Sequence, residues 1–311
     1  MTTLLVTHPA CAGHAPPERH PERVVRLAAV LDALSGEGFE RLARAEAPRA
    51  DRMHLRLAHP ESHIAAIEAA MPHEGYAFLD ADTVASPGTW HAALRAAGAG
   101  ILAVDEVMAG RARNAFCAVR PPGHHAEAER AMGFCVFNNA AIAARHAQIA
   151  HGIARVAVVD FDVHHGNGTQ DIFRGHADLF YASTHQHPLY PGTGDADETG
   201  VAHNILNVPL PPGADGPAFR AAWADTILPA LDAFAPGFIV VSAGFDGHAR
   251  DPLAEMMLAD EDFGWITAEL CDLAARHCEG RLVSLLEGGY DLAALASAAR
   301  AHVGALVAAR P

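Results

Sequence analysis

The chain has no lysine: all 22 basic residues are arginine. This excludes Schiff-base chemistry and any phosphate loop ending in Lys-Ser or Lys-Thr. Cysteine is scarce and odd in number. Cys11, Cys117, Cys135, Cys271 and Cys278 contain no C-x-x-C pair, which argues against a disulfide frame or a thiolate zinc site and suits a reducing compartment. No apolar run approaches the roughly 20 residues of a membrane span. No basic segment followed by an apolar stretch opens the chain, so a cytoplasmic location with no membrane partner is expected. Positive charge is also short. Against 22 basic residues stand 37 acidic ones, a formal charge of −15. Such a surface repels nucleic-acid backbones, so no nucleic-acid partner is expected, and it mildly steers cations inward.

What is present is a 311-residue chain that is 50% hydrophobic and 19% charged, enough to bury a sizeable core. No repeat, low-complexity tract or linker divides it, and a single domain over 1–311 is expected. Short apolar runs without alternation at 115–119, 156–161, 179–183, 238–242 and 282–286 read as strands buried on both faces of a parallel sheet. Alanine-rich segments at 91–109, 138–150, 217–234, 260–277 and 291–308 have helical spacing, with Asn138, Asp215 and Asp260 as N-terminal caps or first-turn acids. Strands alternating with helices predict an α/β fold, a single doubly wound, mostly parallel sheet with helices on both faces.

In such sheets ligands bind beyond the carboxyl ends of the strands. The segments found there are unusual: Arg120-Pro-Pro-Gly-His-His-Ala126, Asp160-Phe-Asp-Val-His-His-Gly-Asn-Gly168, Ser183-Thr-His-Gln, Ser242-Ala-Gly-Phe-Asp-Gly-His248 and Glu287-Gly-Gly-Tyr-Asp291. Histidine is abundant, with 21 residues, and these segments gather it with carboxylates and glycines at one edge. Asp162 and His164, one residue apart at a strand end, are expected to point the same way and grip one metal ion. Asp246 is the leading candidate for a third ligand, leaving an open position of the catalytic zinc type. Taken alone, either aspartate reads as a cap or turn residue; the clustering favours the metal.

His124 and His125, stiffened by Pro121 and Pro122, can divide the work of a general base and an electrostatic or acid partner. Asp160 and Asn167 are candidates to orient them, and because one is charged and the other neutral, the two histidines should differ in proton affinity. Tyr290, after two glycines, can place a phenol where it donates to a forming oxyanion. Together these pieces describe metal-assisted amide hydrolysis.

The same motifs, with His20-Pro-Glu-Arg-Val-Val-Arg-Leu27, Gly133-Phe-Cys-Val-Phe-Asn-Asn139, Pro191-Gly-Thr-Gly194 and Asn207-Val-Pro-Leu-Pro211, resemble the histone deacetylase superfamily over about 20 to 291. The resemblance is nearest to its class II and bacterial deacetylase-like amidohydrolase branch, on the arginase/deacetylase-like fold. It implies one Zn2+ per chain on Asp162, His164 and Asp246, with His125 as principal base, His124 as its partner, and Asp160 and Asn167 behind them. Tyr290 would be the oxyanion donor; branches with His there are poor deacetylases. The resemblance also implies a structural K+ on oxygens of Asp160, Asp162, His164, Ser183 and Thr184, and a second monovalent site around Phe173. The substrate tube would be walled by Gly133 and Phe134 and by Tyr190, where Phe is commoner. Leu253 stands where polyamine deacetylases carry a glutamate, which favours acetyl-lysine or another neutral amide over acetylspermidine. Glu127, Glu129 and Glu255 are nearby acids that could serve instead, or be solvated loop charges.

The expected substrate is thus an acylated amine, acetyl-lysine or a small amide, and a homo-oligomer is allowed for. Two rivals are weighed. A binuclear manganese ureohydrolase needs bridging acids where this chain has Gly166 and His248. A silent module that only recognises acylated ligands would have no use for every ligand and Tyr290. His185, His187 and the acidic stretch 195–198 are open to rim, interface or loop roles.

Overall fold

The computed structural model describes residues 2–309. Along the chain the strands are β1 (Thr3–Thr7), β2 (Ala43–Glu46), the two-residue β3 (Ala77–Phe78) and β4 (Val84–Ala85), β5 (Asn114–Cys117), β6 (Val156–Asp160), β7 (Leu179–Gln186), β8 (Ile205–Leu210), β9 (Phe238–Ala243) and β10 (Leu282–Leu286). The main sheet has the order β2-β1-β5-β10-β9-β6-β7-β8, and every pairing in it is parallel. The expected strands are its central members, where every residue of β5, β6, β9 and β10 is buried. The additions are β1, β2 and β8. β2 reads Ala-Arg-Ala-Glu with alternating half-buried and exposed residues, as an edge strand does, and carries no apolar run.

The helices are α1 (Val25–Ala33), α2 (Arg52–Leu55), α3 (Glu61–Ala69), α4 (Thr89–Met108), α5 (Asn139–His151), α6 (Asn167–Phe173), α7 (Gly216–Ala222), α8 (Leu228–Phe234), α9 (Asp260–His277) and α10 (Leu292–Ala308). Asn138 and Asp215 cap α5 and α7 by accepting from the amides of Ala141 and Ala218. Asp260 is a first-turn acid of α9. The expected helix 217–234 is α7 and α8 joined by a π turn at Trp223–Ile227; Pro229, which lacks an N–H, follows within the first turn of α8.

Neighbouring residues of β10 show why both faces of the sheet are covered. The Ser284 hydroxyl meets His302 of α10 at 2.8 Å, whereas Leu285 faces Gly100 of α4. Successive strand residues point to opposite faces, so α4 with α5 packs on one side and α10 with α9 and α1 on the other. With both faces buried, the carboxyl ends of the strands are the exposed edge on which polar loops converge.

Candidate active site

β6 stops at Asp160, before the Asp162 and His164 that were expected to share its pleat. Their convergence comes instead from a bend in which backbone amides are spoken for. The Phe161 N–H donates to Ser242 O, Val163 N–H to Asp246 Oδ1 at 2.9 Å, and His164 N–H to Asp162 Oδ1 at 2.9 Å. Asp162 Oδ2 also accepts from Gly288 N–H at 2.8 Å. A Cβ on Gly288 would run into both carboxylates, so only glycine lets the last loop close over them.

Within this frame His164 Nδ1 sits 3.1 Å from Asp162 Oδ1 and 3.1 Å from Asp246 Oδ2. The three side chains are buried and offer ligand atoms all within 4.8 Å of one another. Burial opposes a charged imidazole here, yet the bonds from the two carboxylates push His164 up to about 10. Burial and the charge of Asp162 push Asp246 upward. A site that presses positive charge onto an imidazole against burial is one that a cation satisfies, and two carboxylates with one imidazole suit zinc.

Beside the cradle, the His124 and His125 rings lie 4.0 Å apart between centroids. His124 Nδ1 meets Asp160 Oδ2 at 3.0 Å and His125 Nδ1 meets Asn167 Oδ1 at 2.8 Å. The two histidines separate as expected. Burial opposes charge on His124, but the carboxylates of Asp162 and Asp160 hold it well above the usual range. Burial, with the charges of His124 and His164, holds His125 well below it. Burial raises the Tyr290 phenol well above its usual value, only partly offset by Arg26, so it stays a donor.

A cavity of about 220 Å³ is lined by His125, His164, Tyr290, Gly133, Phe134, Tyr190 and Leu253, all expected, and by Asp82 and Leu189, which were not. Phe134 and Tyr290 face each other edge-on at 6.0 Å, and Tyr190 stands perpendicular to His125 at 5.1 Å. The wall bends through left-handed residues at Gly133 (φ 56°) and Phe134 (φ 68°). A Cβ at 133 would strike the His125 ring, so glycine is required there. Asp82 Oδ1 accepts from Gly133 N–H at 3.0 Å and Thr83 Oγ1 from Phe134 N–H at 3.0 Å, which holds the costly conformation in place.

Further supports were missed. Glu287 Oε2 accepts from the amides of Gly123 and His124, pinning the histidine loop. Asp251 Oδ2 accepts from Tyr290 N–H at 2.7 Å, and Arg26 donates to the carbonyls of Glu287 and Gly289 while lying 4.8 Å over the Tyr290 ring. Arg26 and Arg120 share the fully buried Glu22, and removing one partner from such a group costs about 3–5 kcal/mol. Tyr181 donates to Asp160 Oδ2. Arg26 and Glu287 lie inside the sequence motifs, but only contacts across more than 160 residues reveal their task.

Other candidates resolve differently. Glu127 is a partner of the site, its Oε1 accepting from Asn167 Nδ2 at 2.7 Å. Glu129 and Glu255 are exposed. His185 is buried, 3.0 Å from Ser183 Oγ and 3.0 Å from Gly194 O, and so holds a turn instead of a rim. His187 lies 3.9 Å from Asp195. Asp160 and Ser183 are register partners across β6 and β7, while Thr184 Oγ1 already accepts from Trp223 Nε1. The carbonyls of Phe173, His176 and Leu179 all accept from the Asn204 amide. A carboxylate at position 166 has no room, since a Cβ there meets Asp160 and the Tyr181 hydroxyl. His248 turns to Asp260 at 3.5 Å. The two positions that would carry the bridging acids of a binuclear site therefore hold none.

Fold and site together define a hydrolase built on a parallel α/β sheet, with its chemistry at the carboxyl edge of the strands. Residues 20–306 match the family described as histone deacetylase domain, and the chain belongs to that family. It is 43% identical over 314 residues to "Histone deacetylase 10, chloroplastic" of Oryza sativa, covering 94% of this chain and 70% of that one. It is 43% identical over 290 residues to the histone deacetylase-like amidohydrolase of Pseudomonas aeruginosa, covering 92% and 75%. Among solved structures, the HDA15 HD domain superposes with a TM-score of 0.92 at 35% identity, covering 98% of this chain and 90% of that chain. Among the described residues no helix is long and apolar enough to cross a membrane.

Proposed function

We propose that the chain is a zinc-dependent deacetylase that cleaves the acetyl or short acyl amide of a lysine-like side chain. The observation that carries this reading is a buried Asp162–His164–Asp246 cradle beside the apolar 220 Å³ cavity, with His125 and Tyr290 lining that same cavity. Zinc held by these three residues would supply a Lewis acid and an acidified water.

The protein's own groups do the rest. Because His125 Nδ1 is occupied by Asn167, its Nε2 is the free nitrogen, and its depressed proton affinity keeps it neutral, as a base must be. It takes the proton of the attacking water and passes it to the leaving amine. His124, held charged by Asp160 and Asp162, offsets negative charge in the transition state. Tyr290 donates to the amide oxygen as charge develops there. Phe134 and Tyr190 enclose the alkyl stem and exclude water. Leu253 offers no carboxylate for a second ammonium, and the one carboxylate that lines the cavity, Asp82, is engaged by Gly133 N–H and the Thr83 hydroxyl, which supports acetyl-lysine or a neutral amide over an acetylated polyamine.

A structural K+ among oxygens of Asp160, Asp162, His164, Ser183 and Thr184 belongs to the same reading, supported by the Asp160–Ser183 register. The main-chain carbonyls of Phe173, His176 and Leu179 converge near Asn204, and a second monovalent ion around Phe173 would share these oxygens with that amide. One continuous apolar cluster spans β1 to α10, which supports a single deacetylase domain, and five buried unpaired cysteines support a reducing, cytoplasmic setting.

The test is turnover of an acetyl-lysine peptide and of acetylspermidine, each with and without chelator followed by zinc repletion. Chelator-sensitive turnover preferring the peptide is expected. Binding without turnover after zinc repletion would instead mean a silent reader of acylated ligands.

A further inference from the structure

Among the described residues a second group has metal-ligand chemistry: Asp105 on α4 with His146 and His151 on α5. His146 Nε2 lies 2.8 Å and His151 Nε2 lies 2.7 Å from the same oxygen, Asp105 Oδ1. We propose that Asp105, His146 and His151 form a second divalent-metal site, of the zinc class, that clasps α4 to α5.

Two imidazole N–H groups aimed at one carboxylate oxygen occupy the place of a single divalent ion, which would use both nitrogen lone pairs and the carboxylate together. Two imidazoles and one carboxylate suit zinc, nickel or copper better than magnesium or calcium, which prefer all-oxygen sets. Three protein ligands leave a position for water, the usual four-coordinate arrangement of zinc. Around zinc, ligand atoms bonded at about 2.0–2.1 Å stand roughly 3.3 Å apart, so the present separations must open by about half an ångström. Asp105 can provide this, since its side chain is 41% exposed.

Access and preparation both fit. The His151 side chain is 24% exposed, so an ion can enter from solvent, while His146 at 9% is fixed by packing. The His146 ring is braced edge-on by His151 at 5.5 Å and by His54 at 5.6 Å. The supporting helices pack closely where Gly100 of α4 meets Ala143 of α5.

The site stands apart from the chemistry. At the other end of α5, Asn139 donates to Pro121 O beneath the His124–His125 loop. Thirteen residues of helix put that end about 18 Å from His151. The second ion therefore has a structural role, and turnover does not require it.

The experiment is a zinc count per chain by mass spectrometry after dialysis of the full chain against buffered micromolar Zn2+. Wild type is compared with Asp246→Ala, with His151→Ala and with Asp105→Asn, which keeps the shape and an acceptor oxygen. Wild type should hold one equivalent more than His151→Ala or Asp105→Asn, and Asp246→Ala should keep that extra equivalent. Should both α4–α5 variants bind as much zinc as wild type, the proposal falls. Failure of the catalytic reading is separable, because it would show as no loss of zinc in Asp246→Ala. As a second readout, Co2+ added to Asp246→Ala should give intense four-coordinate visible bands that His151→Ala/Asp246→Ala lacks; equal spectra would overturn the assignment.

Discussion

The two His–Asp clusters use the same residue types and differ in what surrounds them. At the sheet edge, Asp162 and Asp246 accept from the main-chain amides of His164, Gly288 and Val163, and all three side chains are buried. On the helix pair, Asp105 has only the two imidazoles and stands half in water. Backbone donors aim a carboxylate without side-chain entropy, and low local polarity makes the electrostatics of the sheet-edge cluster stronger. A cavity with His125 and Tyr290 adjoins that cluster alone, which is what turns a cation site into a reaction site. Ligand type decides what is bound; the neighbours decide whether anything is done with it.

The sharpest way to break the comparison is to remove a ligand from each cluster. Asp246→Ala should abolish one zinc equivalent and lower kcat/KM by at least about a thousandfold, since both the ion and its alignment are lost. Any retained turnover near the wild-type level would place the chemistry elsewhere. Next in size, Tyr290→Phe keeps the ring against Phe134 and removes only the donor. A fall of roughly 10²–10³ in kcat, with KM nearly unchanged, is expected for a group that acts in the transition state. Steady-state kinetics on one acetyl-lysine peptide reads both.

Asn167→Ala tests the support behind the base. His125 would lose its acceptor at Nδ1, and Glu127 its donor. The expected loss in kcat is about ten- to a hundredfold, below the roughly 10²–10⁴ of a whole general base. Asn167→Asp should restore orientation but raise the proton affinity of His125, shifting the acid limb of the pH profile upward. An unshifted limb would show that Asn167 does not set the base.

The contrast also explains what could be read in advance. β6, β9 and β10 are buried on both faces, so their apolar runs announce them, and the chemistry follows each run directly. The residues that aim this chemistry were hidden. Asp251, Asp82 and Glu287 act by accepting from main-chain amides of distant loops, and nothing in local spacing marks an aspartate for that use. Arg26 and Glu22 are buried charges that only mutual pairing permits. β2 and β8 lacked an apolar run because β2 lies at an edge and β8 carries Asn207 and Pro209. The second cluster was hidden for another reason. α4 and α5 were legible as helices, but His146 and His151 are five residues apart, a spacing that gives no shared helical face. Only the packing of α4 on α5 brings Asp105 to both.

His151→Ala is the smallest effect and sharpens the comparison most, because the same kind of substitution that silences the sheet-edge cluster should here leave catalysis intact. In chelator-treated protein it removes one partly exposed hydrogen bond to Asp105, worth about 0.5–1 kcal/mol. For a chain of this size that corresponds to a drop of roughly 1–3 °C in Tm. With zinc the gap should widen, since an ion bound by the folded chain alone adds stability in proportion to the logarithm of its concentration. Calorimetry across a zinc series reads this as a rising Tm in Asp246→Ala and a flat one in Asp246→Ala/His151→Ala. The kcat/KM of the single His151→Ala variant should stay within about twofold of wild type. A larger fall would mean that the α4–α5 clasp reaches the histidine loop through Asn139, and that the two clusters are coupled along the helix.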